Sequence, residues 1–168
     1  MAATVSIKQS VGAGPSDTTI TNLRLNTDDT INPGTTNPLV KPSAGTNRSF
    51  WKTVYLNADD SPTGTINNLK LYSDGAIGWT GVTLYVGTTG TYTQATGTEG
   101  TTGDDSSVAT ALMSTYTSTT TTKSVTGTIS NPDTGKISDY IVFQGDVSTS
   151  AVAGTLATET ITVQYDET

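Results

Sequence analysis

Carboxylates come in adjacent pairs along this chain: Asp28-Asp29, Asp59-Asp60, Asp104-Asp105 and Asp166-Glu167. Two carboxyl groups about 5 to 10 Å apart across a cleft are the equipment of a glycoside hydrolase. Clustered loop oxygens would instead suit a hard cation such as calcium. Neighbouring acids on a strand, however, point to opposite faces, and these pairs sit in turn-like contexts or among the last residues. They read first as solvated turn residues, and no twelve-residue EF-hand loop accompanies them. His and Cys are both absent. That removes the commonest general base, the commonest transition-metal ligand and any thiol nucleophile. A Ser or Thr hydroxyl therefore has no evident base. No cofactor and no metal are expected, and the chain is expected not to be an enzyme.

The stretch GTTGTYTQATGTEGTTGDD (87–105) is rich in Gly and Thr, yet it lacks the G-x-x-x-x-G-K-[ST] pattern of a phosphate loop. No Lys or Arg lies between Lys70 and Lys123, so a phosphate site there would have no cation beside it. The stretch is either a mobile loop or an arm that orders when its backbone pairs with a neighbouring chain. Trp51, Trp79, Tyr85 and Tyr92 could stack on sugar rings, since an aromatic side chain combines a large apolar face with a polar tip. The competing expectation is that the Trp residues and most Tyr residues pack in or beside the core. Tyr92 differs, because its sequence neighbours offer no core face.

Composition sets the frame for these residues. With net charge −7 and only 8 Lys and Arg, the chain lacks the clustered basic residues that bind phosphate backbones. Lys41, Arg48, Lys52 and Lys70 stand singly, and no nucleic acid partner is expected. No run approaches the roughly 18 apolar residues of a membrane span, so no membrane partner is expected either. The opening MAATVSIKQSVGAG has no basic region followed by an apolar run. The expectation is a chain made in a cytoplasm and kept there or released without Sec export.

Thr fills 38 of 168 positions. It is β-branched and favours strands, while Gly and Asn serve turns. The length suits one domain, 1–168, able to bury roughly two-thirds of its unfolded surface. Few aliphatics and few charges make assembly with other subunits a plausible source of added stability.

Alternation of apolar and polar residues places the strands. TVSIK (4–8) aligns Val5 with Ile7, and TTITNLRLN (18–26) aligns Leu23 with Leu25. Pro33, Pro38 and Pro42 make 30–47 a long surface connection, because Pro cannot serve a central strand. RSFWKTVYLN (48–57), TINNLKLYS (65–73) and WTGVTLYVG (79–87) follow, the last two expected to form a hairpin through SDGAIG. SSVATALMSTY (106–116) is the one helix candidate, one to two turns at most with Asp104, Asp105 or Ser106 as its cap, and a strand is its close alternative. KSVTGTIS (123–130) is a weaker strand. ISDYIVFQGDV (137–147) reads as a central strand, and ETITVQYDE (159–167) has the cleanest alternation of all. About eight or nine strands without helical crossovers imply an all-β antiparallel β-sandwich, immunoglobulin-like or jelly-roll, with extended loops at 30–47 and 87–105.

Two segments carry a resemblance. DYIVFQGDVSTSAVAGTLATETITVQYDET (139–168) and INNLKLYSDGAIGWTGVTLYVG (66–87) resemble stretches of the small β-rich head decoration, or cement, proteins of tailed bacteriophages. Together they cover about a third of the chain. The resemblance implies a virion structural protein, made in the host cytoplasm, that binds the outer face of the assembled head. It would clamp neighbouring subunits of the major capsid protein and self-associate as a dimer or trimer. The loops would then be contact surfaces, with Pro33, Pro38, Pro42, Tyr92, Thr93 and Gln94 as candidate partner contacts. The alternative is a carbohydrate-binding or adhesion module of a phage fibre or tail, with Trp51, Trp79 and Tyr92 as stacking residues.

Overall fold

The computed structural model describes residues 2–31 and 35–168. Its strands are β1 (Val5–Val11), β2 (Ser16–Ile20), β3 (Thr46–Arg48), β4 (Lys52–Ala58), β5 (Thr65–Ser73), β6 (Val82–Thr89), β7 (Gly97–Thr98), β8 (Thr102–Gly103), β9 (Ala111–Leu112), β10 (Lys123–Ser124), β11 (Ile129–Ser130), β12 (Gly135–Lys136), β13 (Tyr140–Ser148) and β14 (Ile161–Glu167). The chain is an antiparallel all-β sandwich. The larger sheet runs β2-β1-β4-β13-β6-β9, with β12 beside β4 and β3 beside β13. In the smaller sheet β5 is central, flanked by β10 and β11 on one side and β14 on the other. β7 and β8 form a ribbon of their own.

Register explains the core. Cross-strand partners share a face, so the pairs Ile7↔Leu56, Ile141↔Val54 and Phe143↔Val86 set one apolar layer on the larger sheet. Ile66, Leu69 and Leu71 of β5, with Val125 and Ile129, face it from the smaller sheet. Ile161, Val163 and Tyr165 of β14 pack along its flank as their alternation predicts. Strand β13 is central, as expected, and buried from Ile141 through Gly145.

Three expectations are corrected. The 65–73 and 79–87 strands do not form a hairpin: β5 lies in the smaller sheet and β6 in the larger, so the turn between them crosses the sandwich. Alternation reports which face is buried, and both strands do face the same core, from opposite sides. The helix over 106–116 reduces to one 3-10 turn, Met113–Thr115, preceded by the two-residue β9. Ser106 does accept backbone N–H groups, from Val108 at 3.3 Å and Ala109 at 3.1 Å, but in a turn that hugs the sheet. The strand over 18–26 ends at Ile20, and Leu23 and Leu25 reach the core from unpaired backbone.

Leu71 is fully buried at the centre of the smaller sheet. Replacing it with Ala is expected to cost about 3 kcal/mol through lost burial and the cavity left behind, read as a shift of the urea midpoint at unchanged slope.

Candidate functional site

The Gly/Thr stretch is neither free arm nor loose loop: it is a strap laid across the outer face of the larger sheet. Close approach of 103–108 to the sheet requires two glycines, Gly87 within β6 and Gly103 within the strap. A Cβ on Gly87 would stand 1.7 Å from the Val108 carbonyl oxygen, and one on Gly103 would stand 2.3 Å from the Ser49 carbonyl oxygen. Backbone laid on a sheet must still satisfy its polar groups, and buried side chains of the sheet do so here. The Gln144 carbonyl oxygen accepts from Ser106 N–H at 2.9 Å, and its amide donates to the Ser49 and Asp104 carbonyls at 2.9 and 2.6 Å. Trp51 donates its indole N–H to the Thr93 carbonyl at 3.1 Å. Tyr92 donates its hydroxyl to the Gly12 carbonyl at 3.0 Å, and its ring centroid lies 5.7 Å from that of Tyr140. Burial raises the Tyr92 hydroxyl pKa well above its ordinary value, with the Asp29 carboxylate adding to the effect.

The strap's far end is tied to Thr27, Asp28, Asp29 and Asn37. Gln94 donates to Asp29 Oδ2 at 3.0 Å, Gly100 N–H donates to the Thr27 carbonyl at 2.9 Å, and Asn37 donates to both Asp28 and Glu99 at 3.0 Å. Beneath them lies Lys52, whose strand parity aims it into the sandwich. Its Nζ donates to the carbonyls of Asp28 at 2.6 Å and Thr30 at 3.3 Å. Burial lowers its pKa to about 8, opposed by the Asp29 and Asp28 carboxylates. Ser49 and Lys52 also have the Ser-x-x-Lys spacing, which corrects the expectation that the sequence offers no base for a Ser hydroxyl. The structure makes no dyad of it: Nζ goes to the two carbonyls, while Ser49 Oγ accepts from Gly145 N–H at 2.9 Å. The signal was the tetrapeptide itself; in the fold its two side chains have separate partners.

The acid pairs act as loop fasteners. Asp29 Oδ2 also accepts from Gly12 N–H at 2.9 Å, Asp59 accepts from Ser6 and Asn57, and Asp166 accepts from Asn68 at 2.6 Å. Glu167 accepts from the backbone N–H groups of Thr63 and Ala3, which lower its pKa. Among the described residues no group of three or more acids could hold a metal ion.

The candidate partner contacts are dispersed. Pro38 is exposed, Pro42 is buried, and Pro33 lies outside the described residues. Tyr92, Thr93 and Gln94 are all engaged within the chain, as above. The three rings proposed for glycan stacking each have partners of their own within the chain. Trp51 lines a hollow of about 80 Å³ beside the strap. Trp79 packs against the cluster of Val82, Val147 and Ala151 and donates its indole N–H to the Ala157 carbonyl at 2.7 Å. Tyr92 lies against Tyr140.

Two features missed by sequence reading are exposed instead. β14 pairs only with β5 among the described residues, which leaves its other edge open. The connection 149–160 that leads to it is largely exposed and carries Val152, 72% accessible. On the larger sheet, beside the strap, Arg48 Nε lies 3.3 Å from Asp105 Oδ1 and 3.4 Å from Asp146 Oδ1. Neither contact has hydrogen-bond alignment. Burial raises the Asp146 pKa, Arg48 opposes this, and Asp105 reinforces it. No protein-family model, no curated protein and no solved structure matches the chain.

Two outcomes follow from the strap and its anchors. Gln144→Ala leaves the Ser106 N–H and two carbonyls without partners and is expected to cost about 2 kcal/mol; hydrogen exchange at 104–109 should accelerate more than in the core strands. Because the Lys52 pKa is lower folded than unfolded, the unfolded chain binds more protons between pH 8 and the ordinary value of 10.5. The Lys52 contribution to stability therefore rises with pH across that window and is lost as pH falls through it. Denaturant titrations should show a steeper rise in the parent than in Lys52→Met, which keeps only the smaller contribution of Lys136, whose pKa burial also lowers.

Proposed function

We propose that the chain is a capsid decoration protein of a tailed bacteriophage, bound to the outer face of the assembled head and clamping neighbouring subunits of the major capsid protein. The observation that carries this reading is the open edge of β14 together with the exposed connection 149–160. Both belong to the 139–168 segment whose sequence resembles such proteins. An unpaired strand edge offers a row of N–H and C=O groups for strand addition by another chain. Val152 supplies an apolar contact beside it. The strap and residues 27–30 are bound down on the same chain, so the clamping surface is assigned to this edge in preference to the 87–105 stretch. Individually weak contacts of this kind hold a lattice through multivalency, reinforced by self-association as a dimer or trimer.

Undecorated heads of the phage should bind the purified chain in co-sedimentation, and Val152→Asp should reduce the bound fraction about tenfold at unchanged thermal midpoint. A chain that sediments as a monomer and associates with no head would remove the reading.

A further inference from the structure

The geometry points to a second binding site, for a neutral polyhydroxylated ligand such as a hexose unit of a glycan, in the groove around Arg48. This groove has a volume of about 470 Å³ and is lined by Arg48, Tyr85, Asp105, Thr110, Gln144 and Asp146, among others. It lies on the outer face of the larger sheet, since Asp146 pairs with Arg48 across β3 and β13, and Tyr85 pairs with Gln144 across β6 and β13. Segment 104–110 walls one side, fixed there by Gln144. The site is therefore built on paired strands and a fastened turn, the rigid support that recognition requires.

Its chemistry is a mixed donor and acceptor set. Arg48 Nε is buried, stands within ion-pair distance of both carboxylates and makes no aligned hydrogen bond with either. Among the described residues, the Arg48 terminal amino groups, the Tyr85 hydroxyl and the Asp105 and Asp146 carboxylates also make no hydrogen bond. A guanidinium offers only donors and a carboxylate only acceptors. A vicinal diol both donates and accepts, so it can accept from the terminal amino groups of the guanidinium while donating to the carboxylates. The Tyr85 ring adds an apolar face with a polar tip. A basic side chain from a protein partner fits less well, because Arg48 already occupies the position between the two acids. This assignment does not use the Trp residues, and it does not depend on the decoration reading.

The test is an amide-resolved NMR titration of the whole chain with D-galactose, D-mannose, D-glucose, N-acetyl-D-glucosamine and lactose at millimolar concentration. N-acetyl-argininamide serves as the basic probe. The expected result is a set of shifts centred on Arg48, Tyr85 and Asp146 with at least one saccharide. Asp105→Ala and Asp146→Ala should each weaken that affinity about tenfold. Asp105 is exposed at the groove rim, so its variant keeps the fold even where Asp146→Ala does not. No shift with any saccharide, or shifts that persist undiminished in Asp105→Ala, would overturn the assignment. Shifts with N-acetyl-argininamide alone would also overturn it, in favour of a protein partner. Head association of Asp105→Ala, measured separately, should equal that of the parent chain, which keeps this outcome distinct from the decoration test.

Discussion

Long polar segments can lie on a β-sandwich only if the sheet beneath them satisfies their backbone groups, and this constraint organises the whole molecule. Gln144 at the centre of β13 meets three such groups, with a donor pair on one end of its amide and an acceptor on the other. Lys52 meets two carbonyls from inside the sandwich. Asp29 gathers a backbone N–H and a side-chain amide. Buried polar side chains of this kind are costly when unpaired and strong when fully paired. They explain how a chain with 14% charged and 33% apolar residues holds extended loops against its surface.

The Lys52 anchor shows how magnitudes decide. Its ammonium lies near Asp28 and Asp29, yet burial outweighs their attraction and its pKa falls to about 8. The amine donates to carbonyls whether or not it carries the extra proton, so the loop stays pinned while the charge itself opposes folding. At the Arg48 groove burial again prevails, raising the Asp146 pKa despite the guanidinium alongside. Both places trade solvation for position, one to fasten a loop and the other to hold an uncommitted polar set at a surface.

Among the described residues each sheet ends in a strand with one partner, β2 on β1 in the larger sheet and β14 on β5 in the smaller. The larger sheet is covered on its outer face by the strap, and Tyr55, Tyr92 and Tyr140 cluster beside it, with the Tyr55 and Tyr140 rings 5.6 Å apart and edge-on. The smaller sheet ends at β14, whose free edge continues from an exposed connection. Trp79 fastens that connection through the Ala157 carbonyl, and Glu159 accepts from Gly78 N–H at 3.0 Å. The connection is thus anchored at its base and exposed along its length, a geometry that suits contact with another chain.

Thr content, Pro positions and period-two alternation were enough to determine an all-β chain, six of its seven long strands to within a few residues, and the burial of Leu69, Leu71, Val86, Ile141 and Phe143. These are local properties, written in neighbours two residues apart. Partner choice was not legible: β5 and β6 alternate like a hairpin yet sit in opposite sheets, because alternation encodes a buried face and not the strand across from it. The fate of the Gly/Thr stretch was equally hidden, since its anchors Gln144, Trp51 and Asp29 lie 38 to 65 residues away from the atoms they hold. The Arg48 groove joins residues from β3, β6, the strap and β13, and only the packing of those segments brings a guanidinium between two carboxylates. Tertiary structure decided these things because hydrogen bonding and charge act through space, and in a sandwich of this topology space is filled by segments far apart in the chain.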